Sequence, residues 1–131
     1  MSMFLRSCAS FLILAFTALG PAASHAAGTR YDKAAFDRAV VSGQLVVMHV
    51  SAPWCPTCKA QTPVVDALLK EPRMKAVRLF VADFDTQKAL KKALHVEQQS
   101  TFVVFKGGRE VARSTADLDR DAIARTFAKA L

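Results

Sequence analysis

Apolar residues recur along the chain with two different periods, and the switches between them lay out an order of elements. Asp32 opens a segment in which Ala35, Phe36, Ala39 and Val40 share one helical face, and Ser42-Gly43 closes it. From Leu45 to Val50 the chain runs almost without a polar break and is rich in valine, the pattern of a strand buried on both faces. A helix is expected from about Cys55 to Leu69, with Val64, Val65, Leu68 and Leu69 as its apolar stripe and Pro63 kinking it. Val77 to Ala82 reads as a second buried strand, and Thr86 to Leu94 as a helix with Lys88, Lys91 and Lys92 turned outward. Thr101 to Phe105 makes a third strand, which Gly107-Gly108 turns into an antiparallel partner from Arg109 to Arg113. Asp117 is expected to cap a closing helix with Ile123, Phe127 and Leu131 facing inward.

Strands joined through a helix are parallel with a right-handed crossover, so this order predicts an α/β sandwich, a mixed central sheet with helices on both faces. Ahead of it, residues 1–26 carry a single charge, Arg6, then an apolar run from Cys8 to Leu19, then Gly20, Pro21 and small residues ending Ser24-His25-Ala26. That is the pattern of a cleaved secretory signal peptide, which leaves one domain, 27–131, starting at Ala27; Ala22 and Ser24 offer a second cut. The apolar run is short of the ~20 residues a spanning helix needs, which disfavours an uncleaved anchor. A lipoprotein cysteine would follow the run, whereas Cys8 precedes it.

Without the leader the net charge is +6, from 17 basic and 11 acidic residues. The basic residues are spread from Arg30 to Lys129 with only Lys91-Lys92 adjacent, a solvated surface rather than a nucleic-acid or membrane patch. No nucleic-acid partner is expected. Only Cys55 and Cys58 remain, too few for a disulfide-dense scaffold, in a compartment that tolerates disulfides.

These two lie in Trp54-Cys55-Pro56-Thr57-Cys58, at the expected start of a helix. Cysteines three apart there lie one turn apart on one face, in reach of a reversible disulfide. In the first turn, free backbone N–H groups and the positive end of the helix dipole favour a Cys55 thiolate. Cys55 is therefore read as the exposed nucleophile, and Cys58, a turn deeper, as the thiol that resolves a mixed disulfide. Pro56 suits an early helical position, where its missing N–H is not needed. A merely structural bridge would close too small a loop to add much stability. A zinc site would need two more ligands, and His49 and His95 are the only histidines after the leader.

The segment Ser51-Ala52-Pro53-Trp54-Cys55-Pro56-Thr57-Cys58-Lys59, with Pro63 beyond it, closely resembles the thioredoxin family. Thr101-Phe102-Val103-Val104-Phe105-Lys106-Gly107-Gly108 is similar to that family's late strand and hairpin. The resemblance implies a thioredoxin fold and a Cys55–Cys58 dithiol/disulfide couple with no other cofactor and no metal. It implies substrate contacts from Trp54, Pro56 and Thr57, and from Ser100 and Thr101 on the facing loop. Three positions depart from the family pattern. His49 stands where a buried acid is usual, and is a candidate proton shuttle for Cys58. Ser100 replaces the cis-proline before Thr101, so the Gln99-Ser100 bond is expected to be trans. Ala116 stands where a glycine is expected.

The resulting expectation is a monomeric, periplasmic thiol-disulfide oxidoreductase that reduces cysteine-containing protein substrates and draws electrons from a membrane thiol-transfer protein. Two other classes stay open at this level. One is a metal-binding or carrier module using Cys55 and Cys58, with or without His49, and the other a module that holds cysteine-containing partners without turnover.

Overall fold

Alternation along each buried strand sorts side chains between two helical layers. In the computed structural model, which describes residues 28–131, Val47, Leu79, Phe102 and Val104 point to one side of the sheet. Val46, Met48, Val50, Phe80, Ala82, Val103 and Phe105 point to the other. The expected leader, the cut before Ala27 and Cys8 lie outside the described residues.

The strands are β1 (Thr29–Arg30), β2 (Val46–Ser51), β3 (Arg78–Asp83), β4 (Thr101–Lys106) and β5 (Arg109–Thr115). The helices are α1 (Lys33–Val41), α2 (Pro56–Leu69), α3 (Lys88–Leu94) and α4 (Arg120–Ala128), with a single 3₁₀ turn at Pro72–Met74. The sheet order is β1-β3-β2-β4-β5; β3 runs parallel to β1 and β2, while β4 is antiparallel to both β2 and β5. The sheet is mixed and lies between helices as expected, but β4, joined to β3 through α3, is antiparallel to β2 and so to β3, where the helical connection predicts a parallel strand; β4 pairs on the far side of β2 from β3. Val65 and Leu68 of α2 and Ile123 and Phe127 of α4 cover one face, and Phe36 and Ala39 of α1 with Leu90 of α3 cover the other.

Several expectations change in detail. The two-residue edge strand β1 and the 3₁₀ turn carry no periodic signal, because each is too short to show a period. Two residues later than expected, Asp119 caps α4 by accepting from Ala122 N–H, and the Asp117 carbonyl is engaged elsewhere. With α4 ending at Ala128, Ala130 turns inward instead of Leu131, which is 44% exposed. Lys91 is not fully outward; its ammonium lies over the Phe84 ring, 3.5 Å from the centroid. The hairpin turn does have both glycines left-handed, φ 58° and 80°, as a two-residue turn matching the strand twist demands.

Ala116 and Ser100 also hold positive φ, 61° and 62°, and Ala116 N–H donates to the Ser100 carbonyl at 3.0 Å. A left-handed alanine carries a steric cost of about 1–2 kcal/mol that glycine lacks. Ala116→Gly is therefore expected to stabilise the fold by about 0.5–1 kcal/mol after glycine's larger unfolded-state entropy is counted. Urea unfolding of the two proteins checks it.

Candidate active site

The site forms where β2 ends and α2 begins, opposite the segment entering β4. Cys55 is the N-cap of α2 and Pro56 its first residue, so the helix starts with exposed donors aimed at a sulfur. Cys55 Sγ accepts Cys58 N–H at 3.1 Å, the role an oxygen plays in an ordinary cap. Both cysteines are free thiols.

Cys55 is not exposed as expected: its residue exposure is 1%, against 2% for Cys58. Capping draws its sulfur inward, where both cysteines pack with Ala52 and against Phe84. Burial raises the Cys55 thiol pKa, but hydrogen bonds from Cys58, Ser100 and the backbone N–H groups of Cys58 and Thr57 outweigh it, and the net shift is downward. The thiolate that attacks disulfides is favoured, and hydrogen bonds rather than a charged neighbour favour it.

Ser100 supplies the most unusual contact. Its Oγ lies 3.1 Å from Cys55 Sγ and 3.1 Å from Cys58 Sγ, and the residue is 2% exposed. The Gln99-Ser100 bond is trans, and left-handed backbone turns the side chain to the two sulfurs. Thr101 sits differently from the expected substrate contact. Its side chain is buried and its hydroxyl bonds the Gln98 carbonyl at 2.8 Å and Thr115 Oγ1 at 2.9 Å, so it is taken up inside the protein. Pro56 is exposed and Thr57 half-buried beside the cysteines. Trp54 is 56% exposed, and its indole N–H donates to Asp85 Oδ2 at 2.7 Å. That bond fixes a large apolar surface beside the pair.

The β2 alternation places His49 on the α2 side of the sheet, where its ring lies 4.4 Å from that of Phe102 and its Nε2 is 3.0 Å from Gln61 Oε1. Gln61 is fully buried and donates from Nε2 to the carbonyls of Asp117, at 2.9 Å, and Ser100, at 3.3 Å. His49 thus connects to the sulfurs only through Gln61 and Ser100. His49, the further ligand the carrier reading allowed, does not join Cys55 and Cys58, because the Gln61 amide takes up the imidazole; no cluster of three or more His, Cys, Asp or Glu suited to a metal occurs among the described residues.

Burial holds the His49 pKa at about 4, the Gln61 bond offsetting only part of that fall. Between about pH 6.5 and 4 the unfolded chain binds a proton at this residue that the folded chain refuses. Stability from this group is complete above about pH 6.5 and falls as the pH drops toward 4, by about 3 kcal/mol in all. Denaturant unfolding at the two ends of that range should show the loss, and His49→Gln should flatten it.

The sequence reading missed Gln61 and Asp85. For Gln61 a signal existed: stepping back from Leu68 and Val65 at helical spacing reaches Gln61 and then Cys58, a polar residue on a buried stripe. Asp85 lies in the turn before α3, and no local pattern ties it to Trp54, 31 residues away.

Residues 28–129 match the sequence profile of the family described as Thioredoxin. A thioredoxin of Chlamydia trachomatis is 33% identical over 94 residues, covering 72% of this chain and 89% of its own length. The crystal structure of Trxlp from Edwardsiella tarda shares 38% identity with a TM-score of 0.73, covering 75% of this chain and 95% of that one. Mitochondrial thioredoxin 3 of Saccharomyces cerevisiae, in oxidised form, shares the fold at 22% identity and a TM-score of 0.68, covering 77% and 93%.

Proposed function

As a member of the thioredoxin family the chain is a protein-disulfide oxidoreductase, and we propose that it is exported and works as a reductant of protein disulfides. Thioredoxins act on cysteine-containing proteins and use no cofactor beyond the active-site dithiol. Here Cys55 is the attacking thiolate, Cys58 the resolving thiol, and Trp54, Pro56 and Thr57 the surface against which a substrate docks. The observation that carries the roles is the cap geometry: Cys58 N–H bonds Cys55 Sγ, and the hydrogen bonds gathered on that sulfur lower its pKa despite burial.

The reducing direction is supported by what acts on the Cys55 sulfur. Burial opposes the thiolate, and the bonds that favour it come from neutral groups rather than from a cation. Such a reductant outside the cytoplasm takes its electrons from a thiol-transfer protein in the membrane. The leader pattern in residues 1–26 supports export.

Expression in a Gram-negative host tests both parts. The periplasmic fraction should contain a protein whose mass begins at Ala27, with Cys55 and Cys58 trapped mainly as dithiol by rapid acid quench and alkylation. An intact Met1 in the cytoplasm would overturn export, and a pair found fully oxidised in the periplasm would overturn the direction.

A further inference from the structure

One hydroxyl lies between the two sulfurs, and its single proton restricts what the three groups can do. Ser100 Oγ is 3.1 Å from each sulfur, yet it can donate to only one of them. With Cys55 as thiolate, Ser100 O–H donates to Cys55 S⁻; the Cys58 S–H lies within reach of both Cys55 Sγ and Ser100 Oγ, and turns to Ser100 Oγ once the mixed disulfide removes the charge from Cys55. Resting on the dithiol reading above, we propose that Ser100 relays the Cys58 proton to the thiol that leaves Cys55, and that Gln61 is the positioning residue that holds Ser100 there.

The step balances. In the mixed disulfide Cys55 Sγ is bonded to a substrate sulfur. Cys58 S–H passes its proton to Ser100 Oγ while Ser100 passes its own proton on. The Cys58 sulfur attacks Cys55 Sγ; the Cys55–Cys58 bond forms and the Cys55–substrate bond breaks. The departing sulfur takes the bonding pair and the proton from Ser100 and leaves as a neutral thiol. The hydroxyl ends as it began, the substrate sulfur is reduced and the cysteine pair oxidised.

Two observations show that the hydroxyl is held in place. Ser100 is buried with φ 62°, a conformation a serine keeps only when its surroundings impose it. Its carbonyl is fixed by two donors, Ala116 N–H at 3.0 Å and the Gln61 amide at 3.3 Å, and Gln61 is oriented by His49 on its other end. The titratable groups around the three are few: the two cysteines, His49 behind Gln61, Asp85 behind Trp54, and Lys91 across Phe84. The His49 bond runs to Gln61 and not to a sulfur or to Ser100 Oγ, so in this relay His49 orients the amide.

The test is the rate of resolution of two mixed disulfides on Cys55, one with glutathione and one with thionitrobenzoate, in the unaltered protein and in Ser100→Gly. Glycine suits the left-handed backbone and removes the hydroxyl together with its β-carbon. An alkyl thiol such as glutathione leaves poorly without a proton, whereas thionitrobenzoate leaves readily as an anion. Ser100→Gly should slow release of glutathione by about 10²-fold, the usual worth of a positioned acid or base. It should slow release of thionitrobenzoate far less, and Ser100→Thr should restore part of the difference. In the unaltered protein, glutathione release should be slower in deuterium oxide. Equal slowing of both leaving groups, or no slowing, overturns the relay, as does the lack of an isotope effect even if no variant folds. Failure of the unaltered protein to release either group would instead overturn the dithiol couple itself. Gln61→Leu should reproduce the selective loss in smaller degree, with thionitrobenzoate release near normal.

Discussion

Cys58→Ser is expected to accumulate as a stable mixed disulfide through Cys55, with turnover of protein disulfides reduced by at least about 10³-fold. The cap geometry makes the outcome asymmetric. Cys55 keeps its hydrogen bonds from the helix start and from Ser100, so the first attack survives. Serine at 58 has no thiolate to complete the exchange. Cys55→Ser removes the attacking sulfur, and no adduct should form. Non-reducing electrophoresis and intact mass after incubation with a disulfide-containing protein distinguish the two. Adducts on Cys55→Ser but not on Cys58→Ser would reverse the roles.

The second large effect is on stability. Gln61 joins four parts of the chain in one fully buried side chain: its own helix α2, His49 on β2, the Ser100 carbonyl before β4 and the Asp117 carbonyl before α4. Truncation leaves the imidazole N–H and the Asp117 carbonyl without these partners and opens a cavity, while the Ser100 carbonyl keeps its bond from Ala116. Gln61→Ala is expected to cost about 3–4 kcal/mol, the sum of a cavity and unpaired buried polar groups. In a domain of this size that lowers Tm on the order of 15 °C, measurable by calorimetry. A change within a degree or two would mean that water replaces the amide at no cost.

The sheet and its helices were readable because burial on both faces leaves long apolar runs. Leu45 to Val50 and Val77 to Ala82 differ from β2 and β3 by about one residue at each end. Gly107-Gly108 gave the hairpin for a local reason, positive φ at both positions. The cysteine pair was readable for the same kind of reason, since a spacing of three at a helix start is a geometric statement. What escaped depends on contacts between distant segments. One hydrogen bond to the Cys55 sulfur comes from a hydroxyl 45 residues away, and the partner of His49 is a glutamine 12 residues on. Asp119 displaced Asp117 as the cap because Gln61 holds the Asp117 carbonyl, a choice no window around α4 contains. Ser100 and Ala116 stood out by type, but their shared left-handed backbone and mutual hydrogen bond belong to the assembled fold.

The central claim is a reversible Cys55–Cys58 couple poised to reduce. Its most direct test is the reduction potential of residues 27–131, equilibrated against glutathione under metal-free conditions. A value near about −270 mV, that of a thioredoxin-type reductant, is the predicted result. A value near about −120 mV, that of a strong periplasmic oxidant, would contradict it, as would the absence of any reversible couple.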